Sequence, residues 1–283
     1  MTRYNLTVKS CLLITTLCLA ACGGSSGNGS NGDDSAYPGE AQDFAVSFEN
    51  TGENCRNFLI ISPITEENAR KFVPPEFELS LPPVGFVELA DCPSGSIDGV
   101  ETGPYRIAEA AVFITPPDGE SFPPITAANS AIYLLWQLDT NHQLSAKKRN
   151  AGFFGEVVED IELSLTESST VPGALNGYAN VPFDVSPYQL EAELLPEGPQ
   201  GPPLPNSLWH LGPNGVINTF NDIYATDQIL AGIGTITVAE GSVLHELFGS
   251  TSVTGVAASG VGSFVNTTQL RPDIEATPAP MAP

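Results

Sequence analysis

Apolar and polar positions alternate along most of this chain with the two-residue period of a β-strand. Residues 44–48 alternate, and 57–62 (NFLIIS) form a short continuous apolar run of the kind buried on both faces. Further strands are predicted at 84–89, 107–115, 131–138, 156–165, 188–195, 207–211 and 232–239. Proline pairs stand between several of them: Pro74-Pro75, Pro82-Pro83, Pro116-Pro117, Pro123-Pro124 and Pro202-Pro203. Proline cannot donate to a sheet ladder, so these pairs mark corners and edges. Three segments read as short helices. Thr65 caps 66–72, which opens on two acids and closes on Arg70 and Lys71 before Pro74. Thr140 caps 141–150, which ends in Lys147, Lys148 and Arg149 ahead of Gly152. Ser242 caps 243–248, with Gly249 as its stop. Many strands and few helices predict a mainly β (β-rich α+β) domain over 41–265, a single curved sheet or closed β-barrel. Residues 266–283 run into Pro-rich sequence and predict a disordered tail.

The beginning of the chain breaks this pattern. Residues 1–21 carry Arg3 and Lys9 and no acid, and the apolar stretch 11–21 is interrupted only by Thr15 and Thr16. That is the layout of a secretory signal, and its core is about half of the ~20 residues that span a bilayer. It ends Leu19-Ala20-Ala21-Cys22, which resembles the bacterial lipobox and implies that Cys22 is acylated after cleavage. Residues 23–40 (GGSSGNGSNGDDSAYPGE) have almost nothing to bury and predict a flexible tether reaching about 23 Å. Gly23 and Gly24 stand where lipoproteins retained in an inner membrane usually carry Asp. In a Gram-negative envelope the resemblance therefore implies the outer membrane, and in a Gram-positive one the cell membrane, reached in either case through the lipid alone.

Charge narrows the partners. The full chain has 10 Lys and Arg against 33 Asp and Glu, a net charge of −23. Losing Arg3 and Lys9 with the signal leaves eight bases against the same 33 acids, near −25. Such a chain repels phosphate backbones and anionic headgroups, which excludes nucleic acid as a partner. Beyond the signal and Cys22, two cysteines remain, Cys55 and Cys92. In an oxidising compartment they predict a disulfide, with a pair of buried free thiols as the alternative. One pair without a Cys–His cluster gives no structural zinc site, and no cofactor motif is present.

Three stretches together resemble the acetoacetate decarboxylase-like superfamily. The first is FVPPEFEL at 72–79, followed by Val84-Gly85-Phe86-Val87-Glu88-Leu89. The second is Gly103-Pro104-Tyr105 leading into a strand. The third is 134–163, LLWQLDTNHQLSAKKRNAGFFGEVVEDIEL. The resemblance implies a β-barrel with a central cavity, and a lysine that forms a Schiff base with a β-keto acid while an adjacent lysine lowers its pKa. Lys147-Lys148 is a tempting dyad. Counting back from Ile161-Glu162-Leu163, however, the family's Gly-Phe-Pro-Lys-Lys falls on Phe153, Phe154, Gly155, Glu156 and Val157, which puts its lysine pair at Glu156 and Val157, nine positions later. Lys147, Lys148 and Arg149 then read as cations offsetting the dipole at a helix tip in solvent, and Glu156 takes the place of the nucleophile. A carboxylate cannot form an imine.

Other residues are candidates on this reading. Glu109 lies on the strand after Gly103-Pro104-Tyr105, where the family carries a cavity acid, and its parity along the strand leaves cavity and solvent equally open. Glu156 beside Phe153 and Phe154 reads either as a desolvated acid–base group or as an exposed strand residue. His210 follows Trp209 in a predicted strand and is the best placed of the three histidines to face a cavity. Arg149, Phe154, Trp136 and Trp209 are candidate ligand contacts, Arg149 as a bidentate partner for a carboxylate. HELFG at 245–249 lacks the second histidine of a zinc protease helix. The expectation is a lipid-anchored protein whose cavity binds a small, partly apolar molecule without Schiff-base chemistry. An enzyme on the same fold, through Lys147-Lys148 or an acid–base group, and a structural envelope lipoprotein are the alternatives.

Overall fold

A computed structural model of the chain describes residues 47–115, 130–196, 206–225 and 229–276. The expected signal, Cys22 and tether lie outside the described residues, as do three of the proline pairs and most of the strand predicted at 44–48. In chain order the elements are β1 (Phe48–Pro63), α1 (Glu66–Arg70), β2 (Val84–Cys92), β3 (Ser94–Ile97), β4 (Val100–Thr102) and β5 (Tyr105–Ile114). There follow β6 (Ser130–Asp139), α2 (His142–Ala151), β7 (Gly155–Val157), β8 (Glu162–Glu167), β9 (Leu175–Val181) and β10 (Tyr188–Leu195). The last are β11 (Asn206–Gly212), β12 (Gly215–Ala225), β13 (Leu230–Val238), α3 (Val243–Phe248) and β14 (Ser252–Leu270). No helix among the described residues is long and apolar enough to cross a membrane.

The fourteen described strands form one curved sheet, ordered β4-β3-β1-β2-β5-β6-β11-β12-β14-β13-β10-β9-β8 with β7 beside β6. Two long strands organise it. Residues 56–63 of β1 pair with β2, and β1 also pairs along most of its length with β14, from Phe48↔Thr268 to Ile61↔Val256. The early part of β14 pairs with β13 and the late part with β12. The pairings therefore run β1–β2–β5–β6–β11–β12–β14 and return to β1. The remaining strands, β13-β10-β9-β8, continue from β14 as an arm.

Both faces of the ring strands are covered, which is why several read as continuous apolar runs. On one face, Phe58, Ile60, Val87, Leu89, Ala108, Ala110 and Leu138 pack with the arm's Ala179, Leu190 and Ile236 and with Leu244 and Leu247 of α3. The other face carries a second cluster to which every ring strand contributes, among them Cys55, Phe86, Ile107, Leu134, Leu208, Ile217 and Phe264. This second cluster fills the inside of the ring. Cys55 of β1 and Cys92 of β2 are joined there by a disulfide. Its ends are 37 residues apart. Replacing both cysteines with serine is expected to cost about 2–4 kcal/mol, read as a lower urea midpoint. Equal midpoints for the variant and the oxidised protein would remove the bridge's role.

Three expectations are corrected. Residues 266–270 are not tail but the end of β14, paired with β1 and β12. Asn266 and Thr268 are buried, and Thr268 bonds Thr219 hydroxyl to hydroxyl at 2.8 Å, so polar residues complete the strand where an apolar pattern fades. The cap of α2 is Asn141, whose side chain accepts from the N–H groups of Gln143 and Leu144, while Thr140 Oγ1 accepts from Arg106 N. The strand predicted at 156–165 divides into β7 and β8 around the exposed pair Glu159 and Asp160.

Candidate functional site

Inside the ring, β2 and β5 place Glu88 directly opposite Glu109. Both share the face of Ala90 and Ile107, and across the ring β12 and β14 contribute Asn221, Ile223, Gly262, Ser263, Phe264 and Asn266. With Asn57 these residues line a cavity of about 40 Å³. The two glutamates are enclosed by protein yet half-buried, because they border this space.

Like charges opposite one another in a desolvated site resist ionisation. Burial pushes Glu88 up to about 8, with the Glu109 charge adding to it. Burial also pushes Glu109 up to about 7; the Lys148 cation opposes the shift and the Asp139 charge adds to it. Gln137 Nε2 donates a hydrogen bond to Glu109 Oε1. Tyr188 is buried, its hydroxyl has no partner, and burial followed by the charges of Glu109 and Glu88 raises its pKa. The side chains of Asn57, Asn221 and Asn266 each leave a buried, unpartnered Oδ1.

Next to the glutamates lies an ion pair. Asp139, at the end of β6, has the same facing as Gln137 and is 0% exposed. Lys148 reaches it from α2, donating to both carboxylate oxygens at 2.8 and 3.0 Å, and is 2% exposed. The helix is held in place by the Asn141 cap and by Gly152, whose φ of 94° closes it in the left-handed region. Burial moves Asp139 up to about 6, with Lys148 opposing.

The expectation of three solvated cations at the tip of α2 is thus corrected at Lys148. Adjacent helical residues project about 100° apart, so one lysine turns inward while the next does not. Lys147 is exposed and pairs with Asp98 at 2.7 Å. The two amines bind different carboxylates on different sides and make no dyad. Arg149 is exposed, donating to Ser145 Oγ at 2.9 Å and to the Gly155 carbonyl at 3.3 Å.

Of the residues singled out from the sequence, Glu109 lines the cavity and the others do not. Glu156 alternates outward from buried Gly155 on β7 and is exposed, so its carboxylate does not fill the interior. Phe154 is 46% exposed and meets Phe183 edge to face. Trp136 packs on Phe183 within the first cluster. Trp209 is fully buried in that cluster, its Nε1 donating to Ser207 Oγ. His210 stacks on Phe153 and faces the Leu134 carbonyl through Nδ1 at 2.9 Å; burial lowers its pKa, so it is a neutral packing group. Glu88 lines the cavity without having been among the candidates from sequence. Its signal was available: a lone acid in a strand apolar on both faces has no solvent to turn to. Among the described residues no three His, Cys, Asp or Glu side chains are grouped to hold a metal ion.

No protein-family model and no curated protein matches the sequence. Solved structures do match. The crystal structure of acetoacetate decarboxylase from Legionella pneumophila subsp. pneumophila str. Philadelphia 1 aligns with a TM-score of 0.50 at 14% identity, covering 78% of this chain and 84% of that one. An acetoacetate decarboxylase-like enzyme from Sphingomonas wittichii RW1 aligns with a TM-score of 0.51 at 9% identity, covering 83% and 92%. Identities this low carry the fold alone: the curved sheet described above is of the acetoacetate decarboxylase-like type.

Proposed function

We propose that this chain is a lipid-anchored envelope protein that holds a small, partly apolar ligand in its interior cavity and does so without Schiff-base chemistry. The observation that carries this reading is the fate of Lys148. Imine formation needs an uncharged amine free to attack. The Lys148 nitrogen is instead held by both oxygens of Asp139, and among the described residues no lysine or arginine lines the cavity. The lining combines acids and amides with Ala90, Ile107, Ile223 and Phe264, which suits a ligand with one polar and one apolar side. The lipobox-like Cys22 and the tether support export and anchoring, and Gly23-Gly24 supports the outer membrane.

The test is borohydride trapping. Incubation with acetoacetate and sodium borohydride is expected to leave the intact mass of the protein unchanged. A mass gain that disappears in Lys148→Ala would overturn the reading and restore the decarboxylase-like alternative. A second reading, an acid–base enzyme, is favoured by one feature: Glu88 and Glu109 have pKa values near neutrality, so one can hold a proton while the other accepts one.

A further inference from the structure

The charge balance inside the ring points to the class of ligand. Lys148 and Asp139 cancel each other. Glu88 from β2 and Glu109 from β5 are then left directly opposite each other on adjacent strands, with no lysine or arginine among the described residues that line the cavity. An anionic ligand would set further negative charge beside two acids that already oppose each other's ionisation. A carboxylate has about four lone-pair positions, and Gln137 takes one on Glu109. Asn266, 5% exposed, borders the cavity with its Oδ1 unpartnered, and Asn57 and Asn221 repeat the pattern. Buried amides are left in this state where a ligand or ordered water answers them.

Size and wall chemistry narrow the choice. A water needs about 10–15 Å³ of such space, so a cavity of about 40 Å³ admits roughly three heavy atoms. A divalent metal of the calcium type takes 6–8 oxygen ligands and gains nothing from the apolar side formed by Ile107, Ile223 and Phe264. We propose that the cavity takes a small organic ammonium ion, or the ammonium head of a larger amine, with its N–H groups on Glu88 and Glu109 and its carbon against Ile107 and Phe264. This rests on the reading of the cavity as a ligand site and names the class of ligand.

The charged and titratable groups around the glutamates are Asp139 on β6, Lys148 on α2 and Tyr188 on β10. With Lys148 already neutralised, an entering cation favours the ionised carboxylates, so binding releases protons near neutral pH.

The test is calorimetric titration of the full chain with methylammonium chloride at pH 6, 7 and 8, in buffers of different ionisation enthalpy, with sodium chloride as the matched control. The expected result is saturable heat beyond the control, proton release near pH 7, and affinity rising up to tenfold per pH unit where one proton is released. Glu88→Gln and Glu109→Gln each remove the saturable binding. Asn266→Ala, which keeps both carboxylates, weakens it severalfold. A response equal to that of sodium chloride, or one unchanged in Glu88→Gln, overturns the proposal. Acetoacetate is titrated in parallel. Saturable binding of acetoacetate without methylammonium, lost when Asn266→Leu fills the space, sinks the ammonium assignment and leaves the ligand site standing. No response to either probe sinks both.

Discussion

Asp139→Asn is expected to destabilise the protein by about 3–5 kcal/mol, because it leaves the Lys148 ammonium buried without a counter-ion. At about 2–4 °C per kcal/mol for a domain of this size, the melting temperature falls by roughly 6–20 °C. Lys148→Met carries a similar cost from the other side, leaving a carboxylate that is 0% exposed. The pair itself is no strong net stabiliser: burial still holds Asp139 at about 6 against the pull of Lys148. Breaking it in half is what is expensive. Asp139→Asn combined with Lys148→Met should therefore recover most of the loss, since no charge is stranded. Urea unfolding of the two single variants and the double variant measures this. Single variants within ~1 kcal/mol of the parent, or a double variant whose loss is the sum of the two, would contradict the account.

Glu88→Gln is expected to stabilise the protein at pH 8 and to change little at pH 4. Both glutamates have folded pKa values above the ordinary glutamate value of 4.5, at about 8 and about 7. Between the unfolded and folded values the native state holds protons that the unfolded chain has released. Stability therefore falls as pH rises, by about 1 kcal/mol per pH unit for each group still protonated. The fall begins near pH 4.5 and is complete above pH 8, the reverse of an ordinary salt-bridged carboxylate. Glutamine keeps the shape and removes the ionisation. Glu88→Gln flattens the limb between pH 5 and 8, and Glu109→Gln does so over a narrower range. Thermal melts across pH 4 to 9 give the slopes. Unchanged slopes in both variants would mean that the pair titrates normally.

The helices were legible because their signals are local. Thr65 and Ser242 accept from the N–H groups three residues on, and Gly152 and Gly249 are the left-handed stops that their positions suggest. Most strands were legible from β-branched and aromatic runs. β14 was hidden because SVTGVAASGVGSFVNTTQL builds its buried face from Gly, Ala, Ser, Thr and Asn around a single large apolar residue, Phe264, and so carries little hydropathy contrast. The site was harder to read for the same kind of reason. Strand position made Glu109 a candidate but left its facing open between cavity and solvent, and whether Lys148 faced inward depended on how α2 docks on β6, a tertiary fact with no local signature. Trp136, Trp209 and His210 carried chemical promise in the sequence, and the fold uses them as packing.

The pairing of β1 with β14 also has a consequence for timing. Phe48 lies beside Thr268, so the earliest and latest described strands are neighbours. A chain delivered N-terminus first presents β1 long before its partner exists, and the circuit of strands can close only when residues beyond 252 arrive. Contacts this distant along the chain form slowly. On the export proposed above, that delay would keep the slack chain from locking into shape before it has crossed.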